Sequence, residues 1–390
     1  MGHVPGASPE AMDRHSLTAW HYGDPLVEQR RVEQRPGLVD QWDRVAIEVS
    51  GEERLTWLNN LISQKVNAIA PGQTTYGLVL DVQGRVQFFF GISCLPEAVV
   101  LDVAATHADG LERYLSSMIF WSQVEVRRLD WARLTVVGQS LLAAGSSSFV
   151  GDATAPPPLP NNLAVDLSSV PHVQMLRTHR LGSIPAVDVW VPRSEVVAVW
   201  DALAESAAPI GRMAYDALRI TGRVPAMEDL DEKTIPHEVP FFLGPEGLAQ
   251  GATQAGVEAD GPTSAAVHLN KGCYRGQETV SRVHNLGKSP RVLVLVHLDG
   301  SANRLPELGS PVQAGSRAIG RVGTSIHDAD YGPVALALVK RSVVEKLATD
   351  PAAVPALSAN GVDLAIDPSD VRADSAVRPG KAAIDKLKGR

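Results

Sequence analysis

Short hydrophobic runs with a two-residue period recur along this chain and constrain its fold more than any other feature. Alternation over Ala46–Val49, Thr75–Leu80, Val86–Ile92, Val99–Val103, Val124–Arg128, Leu134–Val137 and Ala186–Val191 predicts strands, because successive side chains of an extended backbone leave opposite faces. Between them, apolar residues return every three or four positions over Glu52–Asn60, Asp109–Met118, Arg193–Ala204 and Met213–Thr221, which predicts helices with one buried stripe. The interleaving is an α+β pattern. Further on, Val292–Leu298, Pro311–Gln313, Ala318–Thr324 and Val334–Val339 read as short strands between Gly- and Asp-containing turns, which predicts a small β-rich domain.

Two stretches break the periodicity. Gly145–Pro171 carries three consecutive prolines, which cannot donate ladder hydrogen bonds, and is expected to be a loop between two halves. Gly244–Thr263 is glycine-rich and is expected to be a surface loop, with a lid role left open. The expected organisation is a loose leader over 1–35, a first α+β module over 36–144, a loop over 145–172, a second α+β part over 173–290 and a β-rich domain with tail over 291–390.

With 390 residues, 44% of them hydrophobic, the chain can bury two or three domain cores. Its most apolar run, Val292–Val296, is strand-sized, so no membrane span is expected. The start, MGHVPGASPEAMDRHS, lacks a basic region followed by an apolar one, which makes the cytoplasm the expected compartment. The two cysteines, Cys94 and Cys273, sit in no CxxC and beside no histidine at ligand spacing, so neither disulfide framework nor metal site is expected. A net charge of −8 argues against a broad nucleic-acid footprint. Gly287–Ser289 spells GKS, but Arg282 stands where a phosphate-binding loop needs glycine. His237 and His284 read as structural or surface groups, and Trp121 and Trp131 as core or interface aromatics.

The segment Asn270–Lys288 places Cys273 among Lys271, Arg275, Arg282 and Lys288. Nearby cations favour a thiolate, which is the nucleophilic form of cysteine, so Cys273 is a candidate reactive thiol with Lys271 beside it. Gly272 and Gly276 would let backbone approach a ligand closely. A partly buried cysteine in a tight turn is the plainer alternative.

Lys271–Glu278 reads KGCYRGQE, and on this motif the chain resembles the YgfZ-type folate-binding proteins, relatives of the glycine-cleavage T proteins. The resemblance extends to Asp216–Val239, with Arg219, Gly222, Pro225, Asp231, Pro236 and Glu238 at matching positions, and to Val49–Val86 and Arg317–Arg341. It implies a T-protein-like folate-binding fold, two interlocked α+β modules around a central opening followed by a β-barrel-like domain. It also implies tetrahydrofolate or a one-carbon derivative as cofactor. Asp188 is placed to hold the pterin through paired hydrogen bonds to its carboxylate, and Arg219 to meet the benzoylglutamate tail. Tyr274, Gly276, Gln277 and Glu278 of the motif are further candidate cofactor contacts. On the residues alone, Asp188 could equally be a solvent-facing strand aspartate, and Arg219 the partner of Asp216 in a surface ion pair.

T proteins carry a catalytic aspartate just after a Gly-x-Val turn. Here that stretch, Gly84–Phe90, holds no carboxylate, and Asp81 stands in another register. The resemblance therefore implies a tetrahydrofolate-binding protein supporting iron–sulfur cluster assembly or repair, including clusters of tRNA-modifying enzymes, with iron–sulfur proteins as partners. A folate-dependent one-carbon transferase and a non-catalytic folate sensor are the alternatives.

Overall fold

The computed structural model describes residues 18–139, 141, 170–248 and 265–371. In chain order these form α1 (Pro25–Arg31), β1 (Gly37–Asp40), β2 (Arg44–Ser50), α2 (Arg54–Leu61), β3 (Thr74–Leu80), β4 (Val86–Cys94), β5 (Ala98–Ala104), α3 (Ala105–Ser117), β6 (Glu125–Arg128) and β7 (Trp131–Val137). They continue as β8 (Met175–Leu181), β9 (Ile184–Pro192), α4 (Val196–Ala204), β10 (Ala208–Pro209), α5 (Arg212–Thr221), α6 (Pro240–Leu248), α7 (Gln277–Leu286) and β11 (Arg291–Leu298). The last are β12 (Pro311–Ala314), β13 (Arg317–Asp328), β14 (Gly332–Lys340), α8 (Arg341–Thr349), β15 (Leu357–Ala359) and β16 (Val362–Ile366).

The strands make two five-stranded sheets, ordered β3-β4-β5-β2-β6 and β10-β1-β7-β9-β8, and a closed barrel, β11-β14-β13-β12-β15-β16. The second sheet takes β1 and β7 from before the long proline-containing stretch and β8, β9 and β10 from after it, so the two halves interlock. Alternation assigns the faces. In the first sheet Ile47, Val49, Phe90, Ile92, Leu101 and Val103 pack against Trp57 and Leu58 of α2 and Leu111 and Leu115 of α3. In the second, Leu134, Val136, Val189 and Val191 pack against Val199, Trp200 and Leu203 of α4. The opposite faces meet each other through Ala46, Val100, Met175 and Trp190. A further core joins Leu78 and Leu80 of β3, Ile220 of α5, Phe242 and the barrel residues Leu293, Leu295, Leu336 and Leu338, which fastens the barrel to the first sheet and to α5. Each such fully buried side chain contributes roughly 1.5–3 kcal/mol relative to exposure.

Two expectations are corrected. The leader expected over 1–35 is structured from Thr18 onward: Asp24 caps α1, and Gln29 of that helix bonds Asp328 of the barrel at 2.6 Å. Trp121 is no core aromatic but 98% exposed beside Phe120, which is 80% exposed. The chain leaves α3 there, and Trp57, bonded through Nε1 to Met118 O at 3.0 Å, fills the interior instead. Trp131 does pack against the layer between the sheets. All but the last two residues of the loop expected over 145–171 and most of that over 244–263 lie outside the described residues; Gly244, with φ of 64°, breaks α6.

Candidate functional site

The strand register of the second sheet sets three polar side chains in a row, Asp188 of β9 standing opposite Thr135 of β7 and Arg177 of β8. Asp188 is wholly buried, at 0% exposure, and is not the solvent-facing strand aspartate that the sequence left open. Its Oδ1 accepts from the Thr135 hydroxyl at 2.7 Å and lies 3.1 Å from His179 Nε2. Its Oδ2 accepts from Arg133 and Arg177, each at 3.4 Å. From the first sheet, Asp102 of β5 accepts from Arg133 and, at 2.8 Å, from Arg44. Burial opposes ionisation of both carboxyls, but Arg133 outweighs it, helped by His179 and Arg177 at Asp188 and by Arg44 at Asp102, and holds both below the usual carboxylate range.

Gly91 makes room for this layer. It pairs with Asp102, and a Cβ there would come within 2.8 Å of Arg177 Cζ. The Arg177 guanidinium lies over the Tyr76 ring, 4.4 Å from its centroid, and reaches Thr75 O at 3.4 Å. Tyr76, Phe89 and Phe241, all half-buried, form an aromatic cluster alongside, with centroids 5.2 to 6.1 Å apart. Among the described residues, the buried Nε atoms of Arg133 and Arg177, Trp190 Nε1 and Gln41 Nε2 have no hydrogen-bond partner. The layer thus combines a carboxylate, unpaired N–H donors and an aromatic wall.

The KGCYRGQE turn lies elsewhere, at the start of α7. Cys273 is exposed, whereas Cys94 is buried in the first sheet, where burial pushes its thiol up. Lys271 turns inward: its Nζ donates to the carbonyl oxygens of Asn59, Ile62 (2.9 Å) and Gln64 (2.9 Å) at the end of α2. Lys288 pairs with Glu345 at 3.0 Å, so two of the four expected cations are spent away from the thiol. Arg275 and Arg282 remain exposed, and Arg275 reaches the Tyr114 hydroxyl. Cys273 is exposed whereas Asp188 is wholly buried, so the two candidate groups stand in different surroundings.

The other motif residues have structural partners. Tyr274 sits in the core that holds the barrel, Gly276 packs on the turn between β3 and β4, and Gln277 Nε2 donates to Lys271 O at 3.0 Å. Glu278 is exposed. Arg219 is not a surface ion pair: it is buried and bonds Asp216 (2.9 Å), Asp229 (2.7 Å), Val224 O (3.0 Å) and Thr324 (3.1 Å), which ties α5 to β13 and leaves no fork for a ligand carboxylate. The sequence reading overlooked Arg133, Arg177, His179 and Tyr76. Their signal was charge inside strand-length segments, Arg177 and His179 two apart in MLRTHRL and Asp102 within AVVLDVA, where period two puts each on one inward face.

Comparison with known proteins adds four findings. Residues 18–241 match the family model described as the GCVT N-terminal domain. The chain is 24% identical over 251 residues to the tRNA-modifying protein YgfZ of Colwellia psychrerythraea, covering 64% of this chain and 67% of that one. It is 25% identical over 257 residues to an aminomethyltransferase of Bordetella petrii, covering 60% of this chain and 69% of the relative. The crystal structure of the glycine cleavage system aminomethyltransferase T from Bartonella henselae superposes with a TM-score of 0.63 at 15% identity over 89% of each chain, a likeness of fold.

Proposed function

Since the chain belongs to the GCVT N-terminal domain family, we propose that it binds a reduced folate between its two sheets and supports assembly or repair of iron–sulfur clusters, including those of tRNA-modifying enzymes. The observation that carries the folate reading is the composition of the Asp188 layer. A reduced pterin offers donors on its 2-amino group and ring nitrogen and an acceptor on its 4-oxo group. Asp188 supplies the matching acceptor, and the unpaired N–H groups of Arg133 and Arg177 the matching donors. Arg177 holds Asp188 and Thr75 only at 3.4 Å, so it is the side chain that moves to admit the ring, with Tyr76 and Phe241 as its aromatic wall. When bound, a reduced folate supplies a nitrogen that carries a one-carbon unit.

The cluster reading is supported by the KGCYRGQE motif and by the likeness to the protein named YgfZ. Cys273 faces outward, which suits a thiol that meets a partner protein; one cysteine cannot hold a four-cysteine cluster alone. No described helix is long and apolar enough to cross a membrane, and the protein is proposed to act in the cytoplasm. A folate-dependent one-carbon transferase is the second reading, favoured by the relatives named aminomethyltransferase. Against it, Gln87–Phe90 offers no carboxylate to a reacting amine.

Calorimetric titration with tetrahydrofolate and its one-carbon forms tests the proposal. The wild type and Cys273→Ala should bind alike and Asp188→Asn should bind weakly; a protein that ignores every reduced folate defeats the folate reading. Loss of cluster-dependent enzyme rescue in Cys273→Ala supports the cluster role, and retained rescue defeats it. Turnover of a one-carbon form with an amine acceptor would establish the transferase instead.

A further inference from the structure

We infer that Lys271 is the positioning residue of Cys273, a latch whose ammonium fastens the thiol-bearing turn to the carbonyl end of α2. The last carbonyls of a helix have no intrahelical partner, and they gather partial negative charge that a cation stabilises. Lys271 brings one there from 212 positions further along the chain, meeting the carbonyl of Asn59 in the last turn, of Ile62 at the cap and of Gln64 just beyond it. Among the described residues no carboxylate faces it. The groups around Nζ are those three carbonyls and the Tyr274 ring, 5.2 Å from it. Burial pushes its ammonium down to about 7, while hydrogen bonds to the three carbonyl oxygens favour the charged form.

The neighbours show why this matters for the thiol. Gly272 has open space around it, and Cys273 is exposed, so neither is fixed by its own packing. Cys273 hangs between two buried anchors, Lys271 on one side and Tyr274 on the other. The Lys271 carbonyl adds a second tie, accepting from Gln277 in the first turn of α7. Upstream, Ser63 bonds Ala266 O at 2.6 Å and accepts at its carbonyl from His268 N at 3.0 Å, which seats the approach to the turn on the same α2–β3 connection. With Lys271 released, the thiol would keep one anchor of two. Lys271 thus acts through Cys273 without touching a ligand. That Cys273 is the working thiol rests on the function proposed above, but the latch does not.

Hydrogen exchange and alkylation on the full chain test it. In Lys271→Met, exchange of the hydrogen-bonded Gln277 and Val280 amides, which close on Tyr274 O and Gly276 O of the turn, should rise by about tenfold, equivalent to about 1.4 kcal/mol of local stability, and iodoacetamide should modify Cys273 faster. Lys271→Arg, which keeps a cation for the carbonyls, should retain most of the protection. Tetrahydrofolate affinity should be the same in all three proteins. Unchanged exchange in Lys271→Met would overturn the latch, as would a rise spread evenly over the protein or an arginine variant no better than methionine. Loss of folate binding by the wild type would sink the proposed function and leave this result standing.

Discussion

Gly84 and Gly276 face each other in left-handed backbone, with φ of 78° and 80°, at the contact between the β3–β4 turn and the start of α7. A Cβ on Gly276 would lie 2.8 Å from Gly84 Cα and 2.6 Å from Asp81 O, and one on Gly84 would lie 2.6 Å from Thr279 Cβ. Neither neighbour is a flexible side-chain end, so the approach admits hydrogen only. The two glycines set where the KGCYRGQE turn rests on the first sheet.

Gly276→Ala should therefore destabilise the protein by more than the roughly 1–2 kcal/mol of left-handed strain alone. Combined with Gly84→Ala, the loss should be smaller than the sum, because both press on one contact. Urea unfolding of the two single variants and the double checks this; strict additivity would show that the contact is not shared.

Arg219→Met should lower stability by roughly 3–5 kcal/mol, because it strands Asp229 as a buried carboxylate between α5 and β13 and leaves Asp216 with Arg212 alone. Folate affinity of the folded fraction should be unchanged. A variant of normal stability with weakened binding would restore the ligand role that the family resemblance implied.

Asp40 gives a dependence on pH. Burial, reinforced by Asp43, raises its carboxyl from 3.8 to about 7. The folded state thus keeps a proton that the unfolded chain has lost, and the contribution is present below about 4 and fades as pH rises to about 7. Above that, ionised Asp40 costs on the order of 4 kcal/mol. Asp40→Asn should raise the urea midpoint at pH 8 and change it little at pH 4; an equal shift at both would contradict the assignment.

What the sequence disclosed followed from side-chain patterning. Strands that bury one apolar face, such as Thr75–Leu80 and Ala186–Val191, and helices with an apolar stripe, such as Met213–Thr221, were legible, each near its observed bounds. β8 was not, because Arg177 and His179 are hidden by ion pairing across a sheet gap, and partners from β5, β7 and β9 cannot be read from a local window. Lys271 shows the same limit: its carbonyl partners stand more than two hundred positions away. Asp231 and Glu238 were legible as family positions; their physical duty, gripping Arg291 at the head of β11, emerges only in three dimensions.

The pairing of Gly37 with Ala208 in the second sheet has a consequence for how the molecule is made. During synthesis β1 leaves the ribosome long before β10, and β7 before β9, so this sheet cannot close until more than half of the polypeptide has been translated. Until then Arg133 has Asp102 and Gln41 to pair with but lacks Asp188 of β9.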